Sequence, residues 1–230
     1  MDHQRIASFA NLQAVLFDLD GTLLQTQIDF PAMAHAMRCL AQAAGVPESV
    51  TNGKDILSLV EAAMNDVSAR GGDGEAFRRT AFAKLEEQEI LGCSDPILLP
   101  GTRELLSMLN DSGVKIGVVT RNCRTVSEGM LAQFGLPHDV LLTRDDVTRT
   151  KPNPEHLWEA LTHLGVSSEK SAMVGDHWMD IQAGQMAGCA ATLGILGTHQ
   201  TDWFAPCPPA ALVKDLAEAL PLFQRAASPQ

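Results

Sequence analysis

The sequence predicts an α/β fold in which a parallel sheet is covered by helices and a helical segment is inserted after the first strand. Short apolar runs of strand length recur along the chain, and helical patterns with recognisable ends lie between them. The alternation is interrupted once, between about Gln25 and Leu98, where helical patterns occur without a convincing strand. We therefore expect an α/β core domain of residues 1–24 and 99–230 and a helical domain of residues 25–98.

Six apolar runs are the candidate strands. Each ends in polar or glycine residues, which is typical of strands buried on both faces of a parallel sheet. The runs are AVLF (14–17), KIGVV (115–119), DVLL (139–142), SAMV (171–174), ATLGI (191–195) and ALV (211–213).

Start and stop residues bound the helical patterns between these runs. Thr102 and Asn153 are candidate N-caps, because their side-chain oxygens can accept backbone N–H groups of the first turn. Three patterns stop at a glycine, at Gly113, Gly165 and Gly188. In the inserted segment the patterns predict helices at about 31–44, 55–69 and 75–90.

Composition and charge exclude several kinds of partner. A formal net charge of -11 and a pI near 5.0 argue against binding to nucleic acid or to an anionic membrane. Five cysteines without a C-x-x-C pair indicate reduced thiols, so we expect a cytoplasmic protein. No apolar run approaches the ~18 residues of a membrane span, and the N-terminus has no secretory pattern. We expect a monomer or dimer whose partner is a small molecule.

Polar residues collect directly after the predicted strands, where open parallel sheets bind ligands. They follow the first, second and fourth apolar runs, and a lysine precedes a later helix. The set is Asp18, Asp20, Gly21, Thr22, Thr120, Arg121, Asn122, Lys151, Gly175, Asp176 and Asp180.

Carboxylates gathered at one place repel each other unless a cation holds them together. Mg²⁺ prefers oxygen ligands and commonly binds one or two carboxylates, waters and a substrate phosphate. Lys151 can supply a second positive charge to that phosphate, and the Thr120 hydroxyl can donate a hydrogen bond to it. This set predicts a local phosphate site in an acidic protein.

A carboxylate can also attack phosphorus and form an aspartyl-phosphate. We predict that Asp18 is this nucleophile and that Asp20 transfers protons to the leaving alcohol and from water. Gly21 allows a tight turn, and Thr22 can hydrogen-bond within it.

Four segments carry a family resemblance, and they are FDLDGTLL (17–24), VVTRN (118–122), KPNP (151–154) and GDHWMD (175–180). In order and spacing they resemble the four motifs of the haloacid dehalogenase-like hydrolase superfamily. The resemblance implies a Rossmann-like core and a Mg²⁺-dependent phosphatase site. The inserted helices resemble the small cap of its phosphoglycolate phosphatase-like branch.

Matched position by position, the resemblance implies a role for each site residue. Asp18 would be the nucleophile and a metal ligand, and Asp20 the acid/base and a ligand through its carbonyl. Thr120 and Lys151 would stabilise the phosphate and the intermediate. Asp176 would bind the metal, with Asp180 as a carboxylate behind it.

Two features depart from that branch. The stretch Gln25, Thr26 and Gln27 lacks the aspartate common there, so the substrate pocket need not match phosphoglycolate. Arg121 lies inside the second motif, where it can bind substrate, together with Thr22 and Asn122, or pair with an acid such as Asp145 or Asp146.

The leading prediction is hydrolysis of a small phosphorylated metabolite. A sugar-phosphate mutase of the same fold needs the same carboxylates and stays an alternative. A non-catalytic phosphate-binding regulatory protein is the alternative from another class, although it would not explain the inserted helices. Displacement of a halide at carbon needs no acid at Asp20, which disfavours a dehalogenase.

Overall fold

The computed structural model describes residues 9–224. The chain divides into two compact units: the first runs to Thr26 and resumes at Pro96, and the second is Gln27–Asp95. The junctions lie two or three residues from the boundaries expected above. No helix among the described residues is long and apolar enough to cross a membrane.

The first unit is built on a six-stranded sheet whose neighbouring strands are all parallel. A two-stranded sheet accompanies it. The strands are β1 (Ala14–Phe17), β2 (Leu24–Gln25), β3 (Ile97–Leu98), β4 (Lys115–Val119), β5 (Val140–Leu142), β6 (Ser171–Gly175), β7 (Ala191–Ile195) and β8 (Ala211–Val213).

The order β5-β4-β1-β6-β7-β8 places β1 in the middle of the large sheet. Phe17, its last residue, is level with Val118 of β4 and Val174 of β6. The residues that follow these three strands therefore emerge at the same edge. The six predicted strands are all present, and the predicted α/β class is confirmed.

The second sheet corrects one sequence expectation. β2 and β3 pair antiparallel, with Leu24 opposite Leu98, at the two ends of the segment in which no convincing strand was expected. Each strand has only two residues, which is too short to produce an alternating pattern. Both strands belong to the first unit.

Nine α-helices lie within the described residues. They are α1 (Phe30–Ala43), α2 (Glu48–Thr51), α3 (Ile56–Ala69), α4 (Gly74–Gly92), α5 (Thr102–Asp111), α6 (Arg124–Phe134), α7 (Glu155–Leu164), α8 (Trp178–Ala187) and α9 (Leu216–Phe223).

The predicted ends of the core helices need small corrections. Gly101, with φ of +84°, is the residue before α5, so Thr102 is the first residue of that helix and not its cap. The Thr102 hydroxyl donates instead to the backbone carbonyl of Leu23, at 2.9 Å. Asn153 does accept the Glu155 N–H, at 3.0 Å, although Pro154 separates it from α7.

The second unit is a helical domain with its own core. Buried apolar side chains from α1, α3 and α4 form it, including Met37, Leu59 and Leu85. The three predicted helices are present, and the four-residue helix α2 between them was not predicted. Its length gives a single turn, which leaves no helical period to detect.

Candidate active site

Asp18 is placed by the central strand. Its backbone N–H donates to the carbonyl of Val174 at 2.9 Å, which continues the pairing of β1 with β6 by one residue. Its carboxylate Oδ1 lies 2.5 Å from Lys151 Nζ. The first predicted acid and the predicted lysine are therefore in direct contact, although 133 residues separate them.

Lys151 bridges two acids. Its Nζ also lies 2.7 Å from Oδ1 of Asp180, and its side chain is 1% exposed. Its backbone N–H donates to Nδ1 of the buried His156, at 3.4 Å. Burial lowers the pKa of the Lys151 ammonium, but the charges of Asp18 and Asp180 outweigh burial and leave the pKa raised. Lys151 is therefore a fixed positive charge.

Asp180 has two roles at once. Its Oδ2 accepts the His177 N–H at 3.0 Å and so closes a capping box at the start of α8. Its Oδ1 faces Lys151. One carboxylate therefore both caps a helix and contacts Lys151, while its predicted place behind the metal ligands stays a prediction. Gly175 is required beside it, because a Cβ there would collide with the Asp180 carboxylate.

Asp176 lies between the turn after β1 and a distant tryptophan. Its Oδ1 accepts the Thr22 hydroxyl at 3.3 Å, and its backbone carbonyl accepts the indole N–H of Trp203 at 2.9 Å. Gly21, with φ of +86°, approaches so closely that a Cβ would overlap the Asp176 carboxylate. Gly21 is thus needed for its conformation and for space.

The carboxylates of Asp18, Asp176 and Asp180 form an acidic cluster, each offering an oxygen within 4.8 Å of the others. Burial raises the pKa of Asp18 to about 7, although Lys151 acts in the opposite direction. Burial, followed by repulsion from Asp18, raises the pKa of Asp176 well above its ordinary range. One lysine does not neutralise this cluster, and its all-oxygen donor set fits a hard divalent cation.

Asp180 is the least available of the three for a metal, since both of its oxygens already accept hydrogen bonds. Asp18 and Asp176 are the better candidates for ligands. The Asp20 carboxylate is not part of the cluster. Its predicted contact with the metal through the backbone carbonyl stays a prediction.

The Asp20 carboxylate is held by Thr26. Oδ1 accepts the Thr26 N–H at 3.0 Å, and Oδ2 accepts the Thr26 hydroxyl at 2.7 Å. Thr26 is buried, and no role was predicted for it. It lies outside the first motif, so no local pattern linked it to Asp20.

Thr120 and Asn122, which follow β4, are buried at the same edge of the sheet. Thr120 accepts the Asn122 N–H on its hydroxyl at 3.2 Å, which leaves the hydroxyl proton to donate elsewhere. Asn122 Nδ2 is a buried donor without a partner among the described residues. Both observations fit residues that bind an incoming oxyanion.

Arg121 lies beside the fourth motif. Its Nη1 is 3.1 Å from Sδ of Met179. Asp146, considered above as its partner, is bound by Arg124 at 2.6 Å, and Asp145 accepts the Arg124 backbone N–H at 2.8 Å. Substrate binding by Arg121 stays a prediction.

Sequence reasoning also missed His156 and Trp203. His156 is fully buried on α7, and Trp203 lies in the short 3₁₀ turn Thr201–Phe204. Neither residue stands at a strand end or in a motif. Only the tertiary structure brings His156 to Lys151 and Trp203 to Asp176.

Comparisons with known proteins show which family the chain is similar to. A family model described as haloacid dehalogenase-like hydrolase matches residues 15–193. An N-acetylmuramic acid 6-phosphate phosphatase from Pseudomonas aeruginosa is 34% identical over 183 residues, which are 77% of this chain and 79% of that protein. A phosphoglycolate phosphatase from Neisseria meningitidis is 30% identical over 190 residues, covering 80% of each chain.

The fold has solved counterparts. The crystal structure of a phosphatase of this superfamily from Thermococcus onnurineus matches with a TM-score of 0.63. It covers 94% of this chain and all of its own, at 24% identity. At that identity the match supports the fold and not a substrate.

Proposed function

The chain belongs to the haloacid dehalogenase-like hydrolases, and we propose that it hydrolyses a small phosphomonoester through an aspartyl-phosphate on Asp18, with Mg²⁺ as cofactor. Its phosphatase relatives assign it to the phosphoric monoester hydrolases. The finer proposal concerns the metal, the intermediate and the residues that act on them.

The observation that carries it is the double contact of Lys151 with Asp18 and Asp180, next to Asp176. A purely structural ion pair needs one acid for one base, and a surplus of buried carboxylates would destabilise the fold. A surplus of acids fits a site that also takes up a cation.

Attack by Asp18 begins the proposed reaction. One Asp18 oxygen forms a bond to phosphorus while the bond from phosphorus to the leaving oxygen breaks. The leaving oxygen takes a proton from Asp20, which must exchange one of its Thr26 hydrogen bonds for this contact. Lys151 and the Thr120 hydroxyl offset the charge on the phosphoryl oxygens.

Water completes the cycle. Asp20, now ionised, accepts a proton from a water molecule that attacks the phosphorus. The bond between phosphorus and Asp18 breaks, and inorganic phosphate and the free carboxylate are released. Asp20 ends the cycle protonated, ready for the next leaving group.

Asp18 and Asp176 are the carboxylates that would hold Mg²⁺, with the Asp20 carbonyl as a further candidate. The bound ion would supply positive charge that lowers the pKa of the Asp18 carboxyl and keeps it ionised at neutral pH.

For the substrate, we propose a small phosphorylated metabolite of the phosphoglycolate or sugar phosphate type. Two relatives support this class, since one is named for phosphoglycolate and the other for an amino sugar phosphate. The helical unit Gln27–Asp95, inserted between β2 and β3, is the proposed cap that distinguishes among leaving groups.

Phosphate release from a panel of phosphorylated metabolites tests the proposal. Wild type is compared with Asp18→Asn, with Mg²⁺ or with EDTA, and Asp139→Asn is the matched control because Asp139 binds Lys115 far from the acidic cluster. We expect turnover only with Mg²⁺, lost by more than about 1,000-fold in Asp18→Asn and retained in the control.

Turnover that persists in Asp18→Asn would contradict the aspartyl-phosphate mechanism. Transfer of phosphate to another position of a sugar, without release, would identify a mutase. Folded wild-type protein that releases phosphate from no compound would contradict the hydrolase proposal.

A further inference from the structure

Trp203 makes a contact that the proposed mechanism does not use. Its indole Nε1 donates to the backbone carbonyl of Asp176 at 2.9 Å, across 27 residues of chain. Asp176 is one of the two best candidates for a metal ligand. This hydrogen bond therefore connects Trp203 to the acidic cluster through the backbone of Asp176.

Ring packing holds the Trp203 indole in position. It stacks on His199 with ring centroids 4.3 Å apart and an angle of 6° between the planes. It also packs against the His177 ring in a T-shaped arrangement, with ring centroids 5.3 Å apart and an angle of 84° between the planes. The next residue, Phe204, is fully buried in a cluster with Ile181 of α8. These contacts hold the indole N–H of Trp203 in place.

The peptide that Trp203 holds belongs to neither a strand nor a helix. β6 ends at Gly175 and α8 begins at Trp178, so Asp176 and His177 lie between two rigid elements. A carbonyl in such a position has no partner from regular structure, and the indole N–H supplies one. Trp203 thus contacts both residues of this link, Asp176 by hydrogen bond and His177 by ring packing.

We propose that Trp203 is a positioning residue, whose indole N–H holds the Asp176 peptide and thereby orients the Asp176 carboxylate for binding a divalent cation. The inference rests on the proposed function, because it concerns the metal site. Groups that hold metal ligands from outside commonly set metal affinity and ligand geometry.

Trp158, which lies on α7 and donates to a carbonyl of α8, provides a matched control. Its Nε1 donates to the carbonyl of Ala187, at 3.2 Å, at the opposite end of α8 from Asp176. Trp203→Phe and Trp158→Phe each remove one indole N–H and keep an aromatic ring. Only the first change acts next to the acidic cluster.

Binding of Mg²⁺ to EDTA-treated, desalted protein, measured by titration calorimetry, is the primary test. We expect Trp203→Phe to weaken Mg²⁺ binding about tenfold. For Trp158→Phe we expect a change within about twofold. Circular dichroism melting should show similar small losses of stability in both variants.

Steady-state kinetics gives a second readout. In Trp203→Phe the Mg²⁺ concentration for half-maximal rate should rise by the same factor as the Kd, while KM for the phosphate ester at saturating Mg²⁺ stays unchanged. A second variant, His199→Leu, keeps the indole N–H but removes its stacked ring, and should weaken Mg²⁺ binding by about two- to threefold.

Three results would overturn the inference. The first is equal Mg²⁺ affinity in wild type, Trp203→Phe and His199→Leu. The second is equal weakening in Trp203→Phe and Trp158→Phe, which would indicate a general loss of stability. The third is a wild-type protein that binds no Mg²⁺, which would also remove the metal from the proposed function, whereas the first two leave that function intact.

Discussion

Two lysine–aspartate pairs lie at opposite ends of the strands of the large sheet, which we call its amino edge and its carboxyl edge. Their N–O distances are similar, but their exposure to solvent differs. Lys115 and Asp139, at the amino edge, are 2.7 Å apart with side chains 51% and 33% exposed. Lys151 and Asp18, at the carboxyl edge, are 2.5 Å apart with side chains 1% and 13% exposed. Contact distance alone therefore says little about what an ion pair does.

The two aspartates respond to burial differently. At Asp139 burial is the largest single influence and raises the pKa, but the hydrogen bonds from Lys115 and from the Ile116 N–H and the charge of Lys115 together outweigh it, so the pKa is lowered. At Asp18 burial prevails over Lys151, and its pKa is raised to about 7. Lys115 and Asp139, at the amino-terminal ends of the strands, form an ordinary surface ion pair. At the carboxyl-terminal ends, the positive charge of Lys151 does not fully compensate the burial of Asp18.

Removal of each lysine is the strongest test of this comparison. Lys151→Met should reduce kcat for a phosphate ester by about 1,000-fold, because the proposed mechanism then loses the charge that faces the phosphoryl oxygens. Lys115→Met should stay within about twofold of wild type. Assays at saturating Mg²⁺ measure both, and comparable activity of the two variants would remove Lys151 from the proposed mechanism.

The same two variants should differ in stability. Without Mg²⁺, Lys151→Met leaves two buried carboxylates without their cation, so we expect the free energy of unfolding to fall by about 3 kcal/mol. Lys115→Met should cost less than about 1 kcal/mol. Urea unfolding in EDTA measures both values. A Lys151 variant as stable as the Lys115 variant would show that burial does not separate the two pairs.

His156, behind Lys151, makes the carboxyl edge sensitive to acid. Burial, followed by the charge of Lys151, lowers the pKa of His156 to about 3. Below its ordinary pKa near 6.5 the unfolded chain takes up a proton that the folded chain does not, so the contribution of His156 to stability falls as the pH falls from about 6.5 towards 3.

This acid sensitivity is measurable by urea unfolding. The contribution of His156 should amount to about 2 kcal/mol between pH 7 and pH 5. His156→Asn keeps an acceptor for the Lys151 N–H but cannot take up the proton, so the wild type should lose about 2 kcal/mol of stability relative to this variant over the interval, while the acidic cluster contributes equally to both. Parallel pH profiles of wild type and variant would contradict the expectation.

Thr26 tests the positioning of Asp20 with a smaller change. Thr26→Val keeps the shape and the backbone donor but removes the hydroxyl bond to Asp20, so kcat should fall about tenfold. Thr162→Val removes an exposed hydroxyl bond to the Trp158 carbonyl on α7 and serves as the control. An unchanged kcat in Thr26→Val would show that the backbone N–H alone orients Asp20.

Salt should have the smallest effect, confined to the amino edge. Raising NaCl from 0.05 to about 0.5 M should remove a few tenths of a kcal/mol of coupling between Lys115 and Asp139, because screening acts on exposed charges. A double-mutant cycle at the two salt concentrations measures it. Coupling that does not depend on salt would mean that this pair is less exposed in solution than described.

Much of the fold could be predicted because its signals are local. The apolar runs of β1, β4, β6 and β7 are buried on both faces of the sheet and read as continuous hydrophobic segments. The single-turn helix α2 and the pair β2–β3 were not predicted, because elements of two to four residues carry no period.

The sequence by itself determined that Asp18, Asp20, Asp176 and Lys151 follow buried strands or precede a helix, and parallel strands bring such residues to one edge. Only the tertiary structure decided which groups hold them. Thr26 binds Asp20, His156 accepts the Lys151 N–H, and Trp203 holds the Asp176 carbonyl. In each contact a side chain from outside the motifs binds a group of a motif residue. Such contacts depend on distance and burial in the folded chain, and the spacing of residues along the sequence predicts neither.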